Sequence, residues 1–390
     1  MEPRNLIVLG STGTIGRLTL EVARRHPDEI RVVGLSAGRN VDALARQAAE
    51  HQVRAVAVAD PALLGRLRAA GGLPADAQVL AGSAGLAALA AWPEAGIVVN
   101  AIVGAAGLEP TLVALQRGAR VGLANKESLV MAGHLVAESL AQHGGEIVPI
   151  DSEHSALWQC LQGRDRGQVR RLILTASGGP FRGLAAEALE RVTAQEALRH
   201  PRWRMGRRIT IDSATLFNKG MELIEARWLF DWPFSRLEAV VHPQAIVHGL
   251  VELADGSLLA HLSRPDMRLP IQLALSLPAR WEPPGSPWEL IGAEALTFEK
   301  ADERSFPCLA LARAAGERGG LAPAVANAAD EVLVAAFLEG RLSFTGIARG
   351  LERVLGAHRP TGATDLAEIM AADAWARAQA EAFVDEAPSR

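Results

Sequence analysis

The chain contains no tyrosine, two cysteines and only 4% aromatic residues among 390 positions. Cys160 and Cys308 are too few and too far apart to suggest a disulfide framework or a zinc site, so both read as reduced thiols. No apolar run reaches the roughly 18 residues that a membrane-spanning helix needs. The start, Met-Glu-Pro-Arg-Asn running straight into Leu6-Ile-Val-Leu9, lacks the cationic stretch, apolar core and small-residue cleavage site of a secretion signal. A cytoplasmic location is therefore the default expectation. A strong excess of one charge is missing too: the formal net charge is −4 and the isoelectric point near 6.2. That argues against a general nucleic-acid binder and for small-molecule partners. What is present, 49% hydrophobic and 22% charged residues, is the composition of a globular protein. The length exceeds what one core usually organises, so two or three domains are expected.

From residue 6 to about 151, short apolar runs alternate with amphipathic helical patterns. The runs are Leu6 to Leu9, Arg31 to Leu35, Arg54 to Ala59, Ile97 to Val103, Arg120 to Ala124 and Glu146 to Ile150. Between them lie helix-like stretches such as Ile15 to Arg25, Val41 to His51 and Leu129 to Gln142. Strands that are apolar throughout, alternating with helices, predict a parallel sheet covered on both faces. The fold class expected is α/β. Residues 1–150 form a doubly wound, Rossmann-like nucleotide-binding domain, 151–280 a central α+β catalytic domain, 281–304 a linker and 305–390 a helical bundle. In the middle section Val169 to Ala176 reads as a strand and Ala214 to Phe230 as a helix, while Asp255-Gly256 between two short runs predicts a tight hairpin. The linker starts in Trp281-Glu-Pro-Pro-Gly-Ser-Pro-Trp288, which can neither continue a helix nor fill a central strand.

Gly10, Gly13 and Gly16 follow the first strand and open the first helix, so backbone N–H groups can meet a pyrophosphate where side chains would block it. The spacing is GxxGxxG, and a tight strand-to-helix turn with no ligand reads the same way. After the second strand an NAD enzyme usually carries an acidic residue. This chain has Ser36-Ala-Gly-Arg-Asn40, where Arg39 is suited to a 2′-phosphate, which favours NADPH; a solvated loop cation is the alternative.

Asp151 and Glu153 stand two residues apart at the end of a strand-like run, so in extended geometry they face one side. With Glu222 they make an all-oxygen set for Mg²⁺ or Mn²⁺. An acidic start to a helix explains Asp151 and Glu153 equally well, and His154 reads as a packing or hydrogen-bonding residue. Ser177, Ser213, Asn218 and Lys219 offer a phosphate one charge and several donors. Ser177-Gly-Gly-Pro180 also reads as an ordinary strand-ending turn, and Lys219 as a solvated helix cation. His200-Pro-Arg-Trp-Arg-Met-Gly206 reads as a surface loop with a half-buried Trp203, or as a lid that lays Trp203 over a ligand.

Taken together, these residues make the chain resemble the 1-deoxy-D-xylulose 5-phosphate reductoisomerase family along essentially its full length. The anchors are GSTGTIG at 10–16, NKES at 125–128, DSEHSA at 151–156, SGGPF at 177–181, HPRWRMG at 200–206, DSATLFNKGMELIEA at 212–226 and HPQAIVH at 242–248. The resemblance implies NADPH contacts from Thr12, Gly13, Thr14, Ile15, Gly38, Arg39, Asn40, Asn125, Glu127 and Gly206, beside Gly10 and Gly16 of the glycine turn. It implies Asp151, Glu153 and Glu222 as metal ligands. Substrate contacts are implied from Lys126, Ser152, Glu153, Ser177, His200, Trp203, Ser213, Asn218, Lys219 and Glu222, with Lys126 and Glu153 as catalytic residues. It further implies a homodimer, a lid over 200–206, and a reaction that breaks and remakes a carbon–carbon bond before NADPH reduces the aldehyde. Arg39 stands where lysine is frequent, and Leu216-Phe217 replaces a methionine-rich pair. Two rivals share the cofactor domain: a simple NADP-dependent dehydrogenase of a small aldehyde or hydroxy acid, and a non-catalytic NADPH-binding regulator.

Overall fold

The computed structural model describes residues 2–203, 205–359 and 365–386. Chain contacts divide them into two compact units. The first comprises 1–128, 134–155 and 266–287, the second 129–133, 156–265 and 288–390.

The first unit is built on a seven-stranded sheet of β1 (Arg4–Leu9), β2 (Ile30–Ala37), β3 (Ala55–Val58), β4 (Gln78–Ala81), β5 (Ile97–Asn100), β6 (Arg120–Leu123) and β7 (Glu146–Pro149), in the order 4-3-2-1-5-6-7. Every neighbouring pair is parallel, so a helical crossover must follow each strand. The crossovers are α1 (Thr14–Arg25), α2 (Val41–His51), α3 (Leu64–Ala69), α4 (Gly82–Ala90), α5 (Leu108–Gln116) and α6 (Glu127–His143), and α7 (Ser152–Leu161) follows β7. Burial of β1, β3 and β5 is almost complete, which is why their sequences are unbroken aliphatic runs. β4 escapes the sequence pattern because it is the edge strand and only half-covered. β5 stops at Asn100, three residues short of the expected Val103, because the Asn100 side chain turns the chain: its Oδ1 accepts from Ile102 N at 3.1 Å. The order places β1 between β2 and β5, so the chain reverses direction of travel across the sheet there. The crevice at the carboxyl ends of such strands is where doubly wound sheets bind ligands.

The second unit holds a five-stranded mixed sheet of β8 (Val169–Ala176), β9 (Leu237–Val241), β10 (Val247–Leu253), β11 (Leu258–Leu262) and β12 (Glu299–Lys300), in the order 11-10-8-9-12. β10 and β11 form the expected hairpin, with Gly256 at φ +88° and Asp255 Oδ1 accepting from Ser257 N at 2.9 Å. Its helices are α8 (Ala186–Leu189), α9 (Ala194–Ala197), α10 (Arg207–Ala214) and α11 (Phe217–Leu229), then α13 (Cys308–Arg318), α14 (Ala322–Leu338), α15 (Phe344–Ala357) and α16 (Leu366–Glu386). α12 (Arg268–Ser276) belongs to the first unit, where Ile271, Ala274 and Leu275 are buried in the core. The bundle is organised by α14, buried along nearly its whole length and packed by α13, α15 and α16. α11 lies against α13 at Gly220, where any Cβ would come within 2.3 Å of the Ala312 methyl.

The division differs from the linear one at 266–287, which the sequence pattern assigns to the central domain and linker. Trp281 stacks on His26 at 3.9 Å, and Arg25 Nη1 donates to the Pro284 carbonyl at 2.5 Å. The proline-rich segment is irregular, but its first half is packed rather than free. Among the described residues no helix is long and apolar enough to cross a membrane.

Candidate active site

In the first unit the candidate residues gather at the carboxyl ends of β1, β2, β5, β6 and β7. The glycine turn is fixed by space. Gly10 sits at φ +78°, and a Cβ there would lie 2.6 Å from the Ala101 carbonyl oxygen; one at Gly16 would lie 2.3 Å from the Gly10 oxygen. Both positions therefore demand glycine, whereas Gly13 is less crowded. Ser36 Oγ accepts from Gly10 N at 3.0 Å and so ties the turn to the end of β2, a role the sequence pattern did not reveal. No side chain caps α1, so the amides of its first turn are open to an anion. Thr12 and Ile15 are half-buried around the turn, and Gly13 and Thr14 are exposed.

Gly38, Arg39 and Asn40 are exposed after β2, and Asn40 Oδ1 caps α2 by accepting from Ala43 N at 3.2 Å. Asn125 and Glu127 are buried and brace the loop after β5. Asn125 Nδ2 donates to the Ile102 and Gly104 carbonyls at 2.8 and 3.0 Å and to Glu127 Oε2 at 2.9 Å, while Glu127 Oε1 accepts from Gly104 N at 2.9 Å. Their structural work is thus to shape residues 101–104, where the Val103 side chain is 72% exposed. That loop was not picked out from the sequence; the break from an apolar run into Val-Gly is its one signal.

The adjacent strands β6 and β7 end in Lys126 and Asp151, whose Nζ and Oδ2 lie 2.5 Å apart with the lysine almost fully buried. A buried ammonium needs such a partner. Asp151 also precedes α7 and takes Ser155 N on its carbonyl at 2.8 Å. Ser152 Oγ donates to the Glu153 carboxylate, and His154 is buried with Nδ1 3.8 Å from Asp151 Oδ2.

In the second unit the positions are set by side chains. His200 Nδ1 accepts from Trp203 N at 2.9 Å and Arg202 N at 3.2 Å, so its lone pair is occupied and the ring proton lies on Nε2. Nε2 faces Ser177 Oγ at 2.9 Å and Ser213 Oγ at 3.3 Å. Burial pushes the imidazole down to about 4, which keeps it neutral near pH 7. Gly178 and Gly179 have φ of +83° and +66°, and a Cβ on Gly179 would lie 2.9 Å from Ala214 Cα. The SGGP turn therefore runs directly along the end of α10. Leu216 at φ +62° separates α10 from α11, which is why one helix expected over Ala214 to Phe230 starts only at Phe217. On α11 the Glu222 carboxylate, 1% exposed, accepts from Asn218 Nδ2 at 2.5 Å and is paired with the Lys219 ammonium. Lys219 is thus neither solvated nor isolated. Glu225, one turn beyond Glu222, is equally buried and was overlooked; its signal was the i, i+3 spacing of two acids on an apolar helix. Trp203 is half-buried, its ring centroid 6.2 Å from that of His248. Gly206 caps α10 with open space around it, and Arg204 of the expected lid lies outside the described residues.

A parallel sheet with a glycine turn at its switch point and acids at the ends of neighbouring strands defines a nucleotide-dependent enzyme of the doubly wound class. Family profiles narrow this. That for 1-deoxy-D-xylulose 5-phosphate reductoisomerase matches residues 6–133, that for its C-terminal domain residues 147–230, and that for the DXP reductoisomerase C-terminal domain residues 262–379. The chain is 50% identical over 385 residues to 1-deoxy-D-xylulose 5-phosphate reductoisomerase of Pelotomaculum thermopropionicum, covering 96% of this chain and 97% of that one. The corresponding Synechococcus enzyme is 48% identical, with 99% and 98% covered. Among solved structures, the Zymomonas mobilis enzyme in complex with NADPH superposes with a TM-score of 0.92 at 41% identity, covering 99% and 100%. A DOX-P reductoisomerase in complex with NADPH, fosmidomycin and magnesium gives 0.93 at 38%, covering 98% of each chain. The chain belongs to the 1-deoxy-D-xylulose 5-phosphate reductoisomerase family.

Proposed function

We propose that this chain converts 1-deoxy-D-xylulose 5-phosphate to 2-C-methyl-D-erythritol 4-phosphate with NADPH and a divalent cation, the reductive step into non-mevalonate isoprenoid precursors. The observation that carries the reading is the row of strand ends that unites the Gly10–Gly16 turn with the Lys126–Asp151 pair. Family membership selects the substrate over the simple dehydrogenase and the silent NADPH binder.

The residues fit the groups they would hold. Gly10 and Gly16 leave room for a pyrophosphate at the open amides of α1, with Thr12, Gly13, Thr14 and Ile15 around it and Gly38, Arg39 and Asn40 toward a 2′-phosphate. Asn125 and Glu127 shape the wall on the far side, and Gly206 is assigned to the cofactor by family resemblance. Asp151, Glu153 and Glu222 are the hard oxygen donors that Mg²⁺ or Mn²⁺ requires. When bound, the cation lowers the cost of negative charge on substrate oxygens as the carbon–carbon bond moves, and NADPH supplies hydride. Lys126, paired with Asp151, is placed to donate toward a developing oxyanion, while Glu153 accepts a proton and Ser152 orients its carboxylate. Ser177, Ser213, Asn218 and Lys219 bind the phosphate. His200, a neutral Nε2 donor, aligns the two serines, and Trp203 covers the substrate from the 200–206 lid. A cation taking up Glu222 would release Lys219 to the phosphate.

The enzyme is proposed to be a homodimer. β11 ends its sheet and exposes Leu258 and Leu262, a hydrophobic edge of the kind that pairs with another strand. The unpaired thiols Cys160 and Cys308 suit the cytoplasm. The deciding experiment is NADPH oxidation with 1-deoxy-D-xylulose 5-phosphate, with and without Mg²⁺ or Mn²⁺, with product identification. Oxidation that leaves the carbon skeleton unchanged would return the chain to the dehydrogenases.

A further inference from the structure

The first unit holds a glutamine to which neither the glycine-turn motif nor the reaction above gives a part. Gln47 stands on α2 beside Leu44, Ala45 and Ala48, which are buried where the helix packs on β2 and β3. The core thus fixes its place on the helix, while its half-buried side chain reaches the glycine turn. What it grips there is Ser11, fully buried between Gly10 and Thr12. Ser11 has three polar groups, and each is taken, as burial demands. Its N donates to the Ser36 carbonyl at 2.8 Å. Its Oγ lies 2.8 Å from Gln47 Oε1 and 3.1 Å from the Ser36 carbonyl, which already holds Ser11 N, so the single hydroxyl proton goes to the glutamine. Its carbonyl accepts from Gln47 Nε2 at 3.1 Å. A carbonyl can only accept, which fixes the nitrogen end of the Gln47 amide on that side. The Ser11–Thr12 peptide is trans, so its C=O and N–H point opposite ways. With the carbonyl held toward α2, the Thr12 N–H faces away from that helix, and none of the described residues accepts from it.

We propose that Gln47 is a positioning residue for the cofactor: by clamping the Ser11 carbonyl it aims the Thr12 amide at the NADPH pyrophosphate. The proposal rests on the assignment of the glycine turn to that pyrophosphate. Without the glutamine the buried Ser11 carbonyl loses its partner, and a peptide that rotates to find another swings the Thr12 N–H off the phosphate. α2 then serves the cofactor at two points. Arg39 and Asn40, at its start, are assigned to the 2′-phosphate, and Gln47, about two turns further along, governs the pyrophosphate.

The test is Gln47→Met, which keeps an unbranched side chain of similar length but has no donor for the Ser11 carbonyl. The measurements are the NADPH Kd by fluorescence titration, the Ki of adenosine 2′-monophosphate as a competitor of NADPH, and steady-state kinetics with both substrates. Adenosine 2′-monophosphate carries the 2′-phosphate but no pyrophosphate, so it reports on Arg39 and Asn40 alone. In Gln47→Met the NADPH Kd and KM rise about tenfold, while the Ki of adenosine 2′-monophosphate, the sugar-phosphate KM and kcat stay within about twofold of wild type. An unchanged NADPH Kd overturns the clamp. An equal loss for adenosine 2′-monophosphate, or a parallel rise in both KM values, also overturns it, because α2 or the site as a whole has then moved. Should Gln47→Met fail to fold, Gln47→Asn, one methylene too short to hold Ser11, carries the same expectations. A wild-type chain that does not bind NADPH overturns the cofactor assignment itself, and the clamp with it.

Discussion

The two compact units contribute their candidate residues by different means. In the first, backbone geometry decides: strand ends, positive-φ glycines and helix starts leave each group almost one location. In the second, side chains hold side chains, as when His200 spans two serines and Asn218 and Lys219 grip Glu222. A site made by backbone fails abruptly when a carbon is added, whereas one made by side chains fails in proportion to the contact removed.

The largest effect expected from that contrast is at Gly16. Gly16→Ala places a methyl 2.3 Å from a backbone oxygen and should destabilise the chain by about 1–3 kcal/mol or more while abolishing NADPH binding. Gly38→Ala, with nothing within 4 Å, should stay within about 0.5 kcal/mol. Urea unfolding and NADPH fluorescence titration check both, and equal effects at the two positions would remove the distinction. Next, Glu222→Gln should lower kcat/KM by about 100-fold or more and raise the metal concentration needed for half-maximal rate. Unchanged metal dependence strikes Glu222 from the ligand set.

His200→Ala should raise the sugar-phosphate KM about tenfold through two misaligned serine hydroxyls, with the NADPH KM unmoved. The wild-type imidazole, held down to about 4 against an ordinary 6.5, stays neutral through pH 6–9, and NMR should find no titration there. Its folded value lies below its unfolded one, so the associated stability is present above about 6.5 and is lost as pH falls toward 4. A ring titrating near 6.5 would show that the two backbone donors do not hold Nδ1. The smallest effect is at exposed Arg39, where Arg39→Met should cut the preference for NADPH over NADH about tenfold, read from steady-state kinetics with each cofactor.

The same contrast explains what the sequence disclosed. The parallel sheet was legible because β1, β3 and β5 are buried on both faces, and Gly10 and Gly16 were legible because only glycine fits. β4 was hidden by its half-exposed edge, and the β5 boundary by an asparagine whose side chain does the turning. Motif content named Ser177, His200, Ser213 and Lys219, but not the tautomer of His200 or the Lys219–Glu222 pairing, since these depend on rotamers and on burial. α12 lies inside the span the sequence pattern gives to the central domain, because no local pattern tells a helix which core it completes.

That last helix limits how the gene can be divided. A fragment ending near residue 150 would keep all seven parallel strands yet lack Ile271, Ala274 and Leu275, exposing a hydrophobic trough where they belong. Each unit is stitched from separated stretches of the chain, so no single cut yields a self-sufficient half. Shuffling, splitting or grafting the nucleotide-binding portion must carry residues 266–287 along, or supply a substitute helix.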